Sequence, residues 1–168
     1  IRRLATKYDV PLIFDEIQIG FGGTGKIWYH EHLPIIPDIL VFGKKTQLSG
    51  IAVQKKFAKI FENSIRLEVT WDSDIVDMIR CKYIIKAYKE YDLIDNAAEL
   101  GNYIVSSLKN MNVFRNVRGR GFLIAFDFKN TDERDRYDQL CFEEGLFLLP
   151  MRDVALRMRP NMALTKDE

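Results

Sequence analysis

Two stretches of the chain place reactive groups directly behind apolar runs: "IFDEIQIGFGGTG" (residues 13–25) and "VFGKKTQ" (residues 41–47). Asp15 follows Leu12, Ile13 and Phe14, and Lys44 and Lys45 follow Ile39 to Phe42 and Gly43. A primary amine condenses with carbonyl compounds, and a carboxylate can hold a proton on a basic nitrogen. Taken singly, each group also has a plain reading. Adjacent lysines mark the solvated end of many strands, and a strand-end aspartate commonly caps a helix or pairs with an arginine.

The elements that would carry these groups set the odds between the two readings. Neither apolar run alternates with polar residues, the pattern of strands covered on both faces of a parallel sheet. Residues 16–37 between them are enough for a crossover connection. In open α/β sheets ligands gather outside the carboxyl ends of the strands, so Asp15 and Lys44 are expected to face one cavity.

Upstream, Ile1, Leu4, Ala5 and Tyr8 keep helical spacing, so the sequence reads as starting inside an α/β unit, as a fragment would. Downstream, Ile75, Val76, Ile79, Tyr83 and Ala87 predict a helix capped by Asp72 or Ser73. Ile94, Ala97, Ala98, Ile104, Val105 and Leu108 predict a second helix. "FRNVRGRGFLIAFDF" predicts a strand pair, and "TDERDRYDQLCFEEG" a helix with Thr131 as cap and Gly145 as its close. "LFLLP" and "VALRMRP" predict two more strands. The organisation expected is an α/β portion over 1–75, a connecting helix over 76–92 and a small C-terminal α+β domain over 93–168.

Composition narrows the function classes. Lys plus Arg number 25 against 24 Asp plus Glu, a net charge of +1 with both signs interspersed, which gives no footprint for nucleic acid or an anionic membrane. The basic stretch "VQKKFAK" reads as a solvated helix face. Cys81 and Cys141 stand alone within helical patterns, which fits a reducing, cytoplasmic setting. No apolar run approaches bilayer length. His30 and His32 lack HExxH spacing, so no metal is expected.

A lysine and an aspartate sharing one cavity match the needs of pyridoxal 5'-phosphate. Its aldehyde takes the amine, and its ring is an electron sink only while the pyridine nitrogen stays protonated. Five segments, "DEIQIGFGGTG", "PDILVFGKKTQ", "VTW", "NVRGRG" and "LRMRP", occur in the order and at nearly the spacing of the class III pyridoxal phosphate aminotransferases. The chain resembles the C-terminal part of such an enzyme over essentially its whole length. Within that family "FGKKTQ" and "TKDE" look most like the L-lysine 6-aminotransferases, and "TGKIWYHEH" also like the 4-aminobutyrate aminotransferases.

The resemblance implies the type I pyridoxal phosphate transferase fold, with a partial large domain and the small C-terminal domain. By it, Asp15 matches the residue that holds the pyridine nitrogen, Gln18 the one that reaches the ring hydroxyl, and Lys44 the Schiff-base lysine. Lys45 is then a neighbour with a structural or electrostatic role. Thr70 matches a hydroxyl that binds the cofactor phosphate across a subunit interface, implying a homodimer, and Arg157 matches the arginine that grips a substrate carboxylate. Arg118 and Arg120 are expected to shape a turn or pair structurally; Arg159 has no assigned role.

The activity implied is transfer of the ε-amino group of L-lysine to 2-oxoglutarate, giving 2-aminoadipate 6-semialdehyde and glutamate, so the partners expected are amino acids and 2-oxo acids. Another ω-amine aminotransferase, an aminomutase of the same fold, or a degenerate dimerisation module stay open beside it. The chain departs from the family at Ile19, Gly23, the segment Pro160, Asn161, Met162, and "TWDSD". The family's phosphate-cradling loop, ring-stacking aromatic residue and gating glutamate belong to its N-terminal half.

Overall fold

The structure, a computed structural model, describes all residues except Ser64, Arg66, Trp71 and Ser73. The chain divides into two compact units: Ile1–Phe21 with Lys26–Tyr91, and Gly22–Gly25 with Asp92–Glu168.

The first unit begins with a short helix α1 (Arg2–Lys7) and contains a three-stranded sheet in the order β1 (Ile13–Asp15), β2 (Ile39–Phe42), β3 (Gly50–Val53). β1 and β2 pair in parallel with Ile13 opposite Ile39 and Asp15 opposite Val41. β3 returns antiparallel to β2. The connection from β1 to β2 is made without an α-helix; its one helical turn is the 3-10 segment Tyr29–His32. Phe21, Trp28 and Phe42 form an aromatic cluster, with ring centroids 4.6 to 5.9 Å apart. Gly50 faces this cluster, and a Cβ there would lie 2.8 Å from the Phe42 ring. Leu40 is buried, but Ile13 is 54% exposed, so β1 is not covered on both faces within this chain as the apolar run predicts.

Helix α2 (Ile75–Glu90) follows. Its N-cap is Asp74, whose carboxylate accepts from the Val76 and Asp77 N–H groups, rather than Asp72; Ser73 lies outside the described residues. Ile75, Val76, Ile79 and Tyr83 recur at helical spacing and all remain exposed. The basic stretch after β3 is a 3-10 helix, Lys55–Phe61.

The second unit is a four-stranded antiparallel sheet in the order β4 (Arg115–Arg120), β5 (Leu123–Asp127), β7 (Ala155–Met158), β6 (Leu149–Met151). Helix α3 (Leu93–Asn110) and helix α4 (Thr131–Glu143) pack on it. The apolar stripe of α3 is used: Ala97 and Leu100 are buried with Phe122, and Ile104 packs against them. Gly101 lets the helix approach the β4–β5 turn closely, since a Cβ there would lie 2.3 Å from the Gly121 carbonyl oxygen. The N-cap of α4 is Asn130, which accepts from Glu133 N–H, and not Thr131; the Thr131 hydroxyl instead donates to Asp153 O. Phe126, Phe128, Leu148 and Leu156 form the main core, with Phe114 and Tyr137 against it.

Residues 22–25 belong to this second unit although sequence neighbours on both sides belong to the first. The Gly23 carbonyl accepts from Phe122 N–H at 2.9 Å. No helix among the described residues is long and apolar enough to cross a membrane.

Candidate active site

β1 and β2 are adjacent and parallel, so their carboxyl ends share one edge of the sheet, with rows about 4.8 Å apart. Asp15 is the last residue of β1, and Lys44 follows β2 by two residues. The register therefore brings the carboxylate and the amine to the same edge. Both side chains are exposed there.

One carboxylate oxygen of Asp15, Oδ1, accepts from the Ile17 N–H at 3.0 Å, which closes a turn directly after the strand. The turn continues through Gly20 N–H, which donates to Glu16 O at 2.8 Å. Gln18 sits at its tip with an exposed side chain. Beyond β2 the backbone is tightly coiled: Lys44 and Gln47 take left-handed conformations, with φ of 60° and 57°. A non-glycine residue held there costs roughly 1–2 kcal/mol, and such strain collects at functional sites. Thr46, fully buried, donates its hydroxyl to Leu48 O.

The paired lysines part company here. Lys44 is exposed, whereas the Lys45 ammonium donates to Gln18 O at 2.9 Å and to Gly20 O at 2.7 Å.

Two buried carboxylates that sequence reasoning missed hold this edge in place. Glu16, beside Asp15, is 1% exposed and accepts from the backbone N–H groups of Tyr29 and His30 and stands 2.9 Å from His30 Nδ1. Asp38, just before β2, accepts from Leu12 N–H at 2.8 Å and pairs with Lys56 and Arg2. The Leu12 N–H first, then Lys56 and Arg2, hold its carboxyl well below the usual carboxylate range. The available signal for both was an acidic residue set against an apolar strand with no polar alternation. The "VQKKFAK" stretch is thus not wholly a solvated face, since Lys56 reaches a buried partner.

Thr70 is exposed and lies in the first unit; Trp71 of the same "VTW" segment is outside the described residues. Arg157 is in β7 of the second unit, between Ala125 and Leu149 in register. Its Nε is buried and has no hydrogen-bond partner among the described residues. Burial first, and then the Arg157 charge, push the Arg159 guanidinium down from its ordinary value. Arg118 pairs with Asp127 at 2.8 Å and so has a structural partner. Burial raises the Asp127 carboxyl, but Asn116 and Arg118 outweigh it, and the net shift is downward. Arg120 is exposed on β4. No group of three or more His, Cys, Asp or Glu able to hold a metal occurs among the described residues.

The donor set fits pyridoxal 5'-phosphate on its chemistry: an exposed amine for the aldehyde and, on the neighbouring strand end, an exposed carboxylate whose Oδ1 is engaged by the turn. A lysine and an aspartate at neighbouring strand ends are the pair that the type I pyridoxal phosphate fold requires.

The family pattern Aminotransferase class-III matches residues 1–168. The chain belongs to the class III aminotransferase family, whose members depend on pyridoxal phosphate. It is 31% identical over 177 residues to the L-lysine-epsilon aminotransferase of Mycobacterium tuberculosis, covering 100% of this chain and 39% of that protein. It is 36% identical over 169 residues to the 4-aminobutyrate aminotransferase of Dictyostelium discoideum, covering 96% of this chain and 34% of the other. The lysine aminotransferase of M. tuberculosis, solved in its internal aldimine form, superposes with a TM-score of 0.92 at 31% identity over 99% of this chain and 40% of that one. The chain thus spans about two-fifths of the length of these relatives.

Proposed function

We propose that the protein acts as a pyridoxal phosphate-dependent aminotransferase moving the ε-amino group of L-lysine to 2-oxoglutarate, with 2-aminoadipate 6-semialdehyde and glutamate as products. The observation that carries this reading is the placement of Asp15 and Lys44 at one edge of two adjacent parallel strands. The choice of lysine leans on the M. tuberculosis relatives.

The cofactor, when bound, supplies the electron sink that lets a carbon–hydrogen bond beside the amino group break. Asp15 would hold the cofactor at its basic nitrogen and keep it protonated, and Gln18 would hold it at its ring hydroxyl. Lys44 would hold the cofactor through its amine and would serve as general base and acid for the proton at the substrate carbon. Arg157, with its unpartnered Nε, grips a substrate carboxylate. Thr70 contributes its hydroxyl to the cofactor phosphate of a neighbouring subunit in a cytoplasmic homodimer.

Borohydride reduction of the cofactor-loaded protein followed by peptide mapping is expected to place the pyridoxyl group on Lys44. A label on Lys45 defeats the assignment. Asp15→Asn is expected to keep the fold and lose turnover by orders of magnitude, and near-normal rates would make Asp15 a turn cap only. Glutamate formation measured with lysine, ornithine and 4-aminobutyrate chooses the substrate. The 36% identity to the D. discoideum protein favours 4-aminobutyrate as the second reading.

A further inference from the structure

Consecutive lysines leave β2, and only the first is needed as an amine. We propose that Lys45 is a positioning residue: its ammonium locks the Asp15–Gly20 turn and so fixes both the Asp15 carboxylate and Gln18 for the cofactor held by Lys44. This rests on the aminotransferase reading above.

The argument starts from the turn. Residues 15–20 form a loop tip whose backbone is closed by two local bonds, Ile17 N–H to Asp15 Oδ1 at 3.0 Å and Gly20 N–H to Glu16 O at 2.8 Å. Neither bond holds the carbonyls of Gln18 and Gly20, and a strand-end loop of this kind opens easily when its carbonyls face only water. Lys45 reaches across from the other strand end and donates to both, at 2.9 and 2.7 Å. Hydrogen bonds from a charged donor are short and about twice as strong as neutral ones. The residue that follows the proposed cofactor lysine therefore staples the loop bearing the other two cofactor contacts, and the lysine and the turn keep one relative placement.

The same geometry separates the roles of the two amines. Lys44 has a left-handed backbone, with φ of 60°, and an exposed side chain, while the Lys45 ammonium is engaged by two carbonyls. To attack an aldehyde, Lys45 would have to release two carbonyl acceptors, whereas Lys44 stands exposed.

The test uses the full chain with Lys45→Met, which keeps the stem and removes the charge, Lys45→Gln as a second uncharged probe, and Lys45→Arg, whose fork can still bridge two carbonyls. Hydrogen exchange at the Ile17 and Gly20 amides is expected to quicken at least tenfold in both uncharged variants. It should return toward wild type in Lys45→Arg, while exchange at residues 122–128 stays unchanged. Unchanged exchange at Ile17 and Gly20 in a folded uncharged variant overturns the proposal. A second arm adds pyridoxal 5'-phosphate and reads absorbance against pH. The pH midpoint of the cofactor's absorbance change is expected to move in Lys45→Met and recover in Lys45→Arg, which a purely structural loss would not produce. In Lys44→Ala, borohydride labelling that transfers to Lys45 likewise overturns the proposal. If the intact protein, with the family's N-terminal half present, takes no cofactor, the aminotransferase reading fails by itself, and the exchange arm still decides whether Lys45 locks the turn.

Discussion

The two units are held together by different forces. In the second, the buried residues are chiefly apolar: Phe122, Ile124, Phe126, Phe128, Leu148 and Leu156 close around the sheet and α3. In the first, the most deeply buried side chains include Glu16, Asp38 and Thr46, while the exposed ones include Ile13, Ile36 and much of the α2 stripe. Hydrophobic burial is non-directional and makes a stable platform. Hydrogen bonds to buried carboxylates are directional and expensive to leave unmade, so they define where a strand end points. The unit that carries Asp15 and Lys44 uses the second kind of force where position matters.

The largest expected blow to this contrast is Phe126→Ala. Phe126 is 2% exposed and packs on Phe114 at 4.5 Å and Phe128 at 5.8 Å, so its loss should cost about 3–5 kcal/mol in denaturant unfolding. A cost under about 1 kcal/mol would mean that the second unit is not held by its apolar core.

Glu16→Ala comes next, at about 1–3 kcal/mol, because the Tyr29 and His30 N–H groups lose a buried acceptor. Hydrogen exchange read segment by segment should show the loss around residues 15–30. A uniform loss would deny that Glu16 acts locally.

A smaller effect is expected at Asp38, whose partners Lys56 and Arg2 keep access to water. Its carboxyl is lowered in the folded state, so its contribution is present above the unfolded value, about 4, and fades as pH falls below that. The stability gap between wild type and Asp38→Asn should hold steady from pH 7 to 5 and narrow toward pH 3. A gap that widens in acid would reverse the assignment.

The smallest effect sharpens the point that burial, not charge, matters. Arg80 and Asp77 pair at 3.0 Å on α2 with side chains 56% and 38% exposed, and Arg80→Ala should change stability by no more than about 0.5 kcal/mol.

Much of this was legible in the sequence because it depends on local pattern. The parallel strands showed as apolar runs, and the helices as recurring Ile, Ala and Leu. The caps were missed narrowly: Asp72 and Thr131 each had an equally good neighbour, Asp74 and Asn130, and only the backbone decides between them. The exposure of Ile13 and of the α2 stripe was not legible, since periodicity reports a face and not what covers it. At the site, the amine and carboxylate were visible as types placed behind strands. The partners of Glu16, Asp38 and Lys45 were not, because each bond joins residues 13 to 36 apart in sequence and follows from tertiary placement.

The membership of Gly22–Gly25 in the second unit bears on how such chains can be shuffled. A gene exchange with its breakpoint after Tyr91 would inherit 92–168 from one parent and 22–25 from the other. The mixed chain must then still offer the Gly23 carbonyl to Phe122, and it must leave room at Gly121, where even a Cβ would come within 2.7 Å of the Gly23 oxygen. The two segments are therefore expected to be inherited as a matched pair, and viable chimeras should keep both from the same parent.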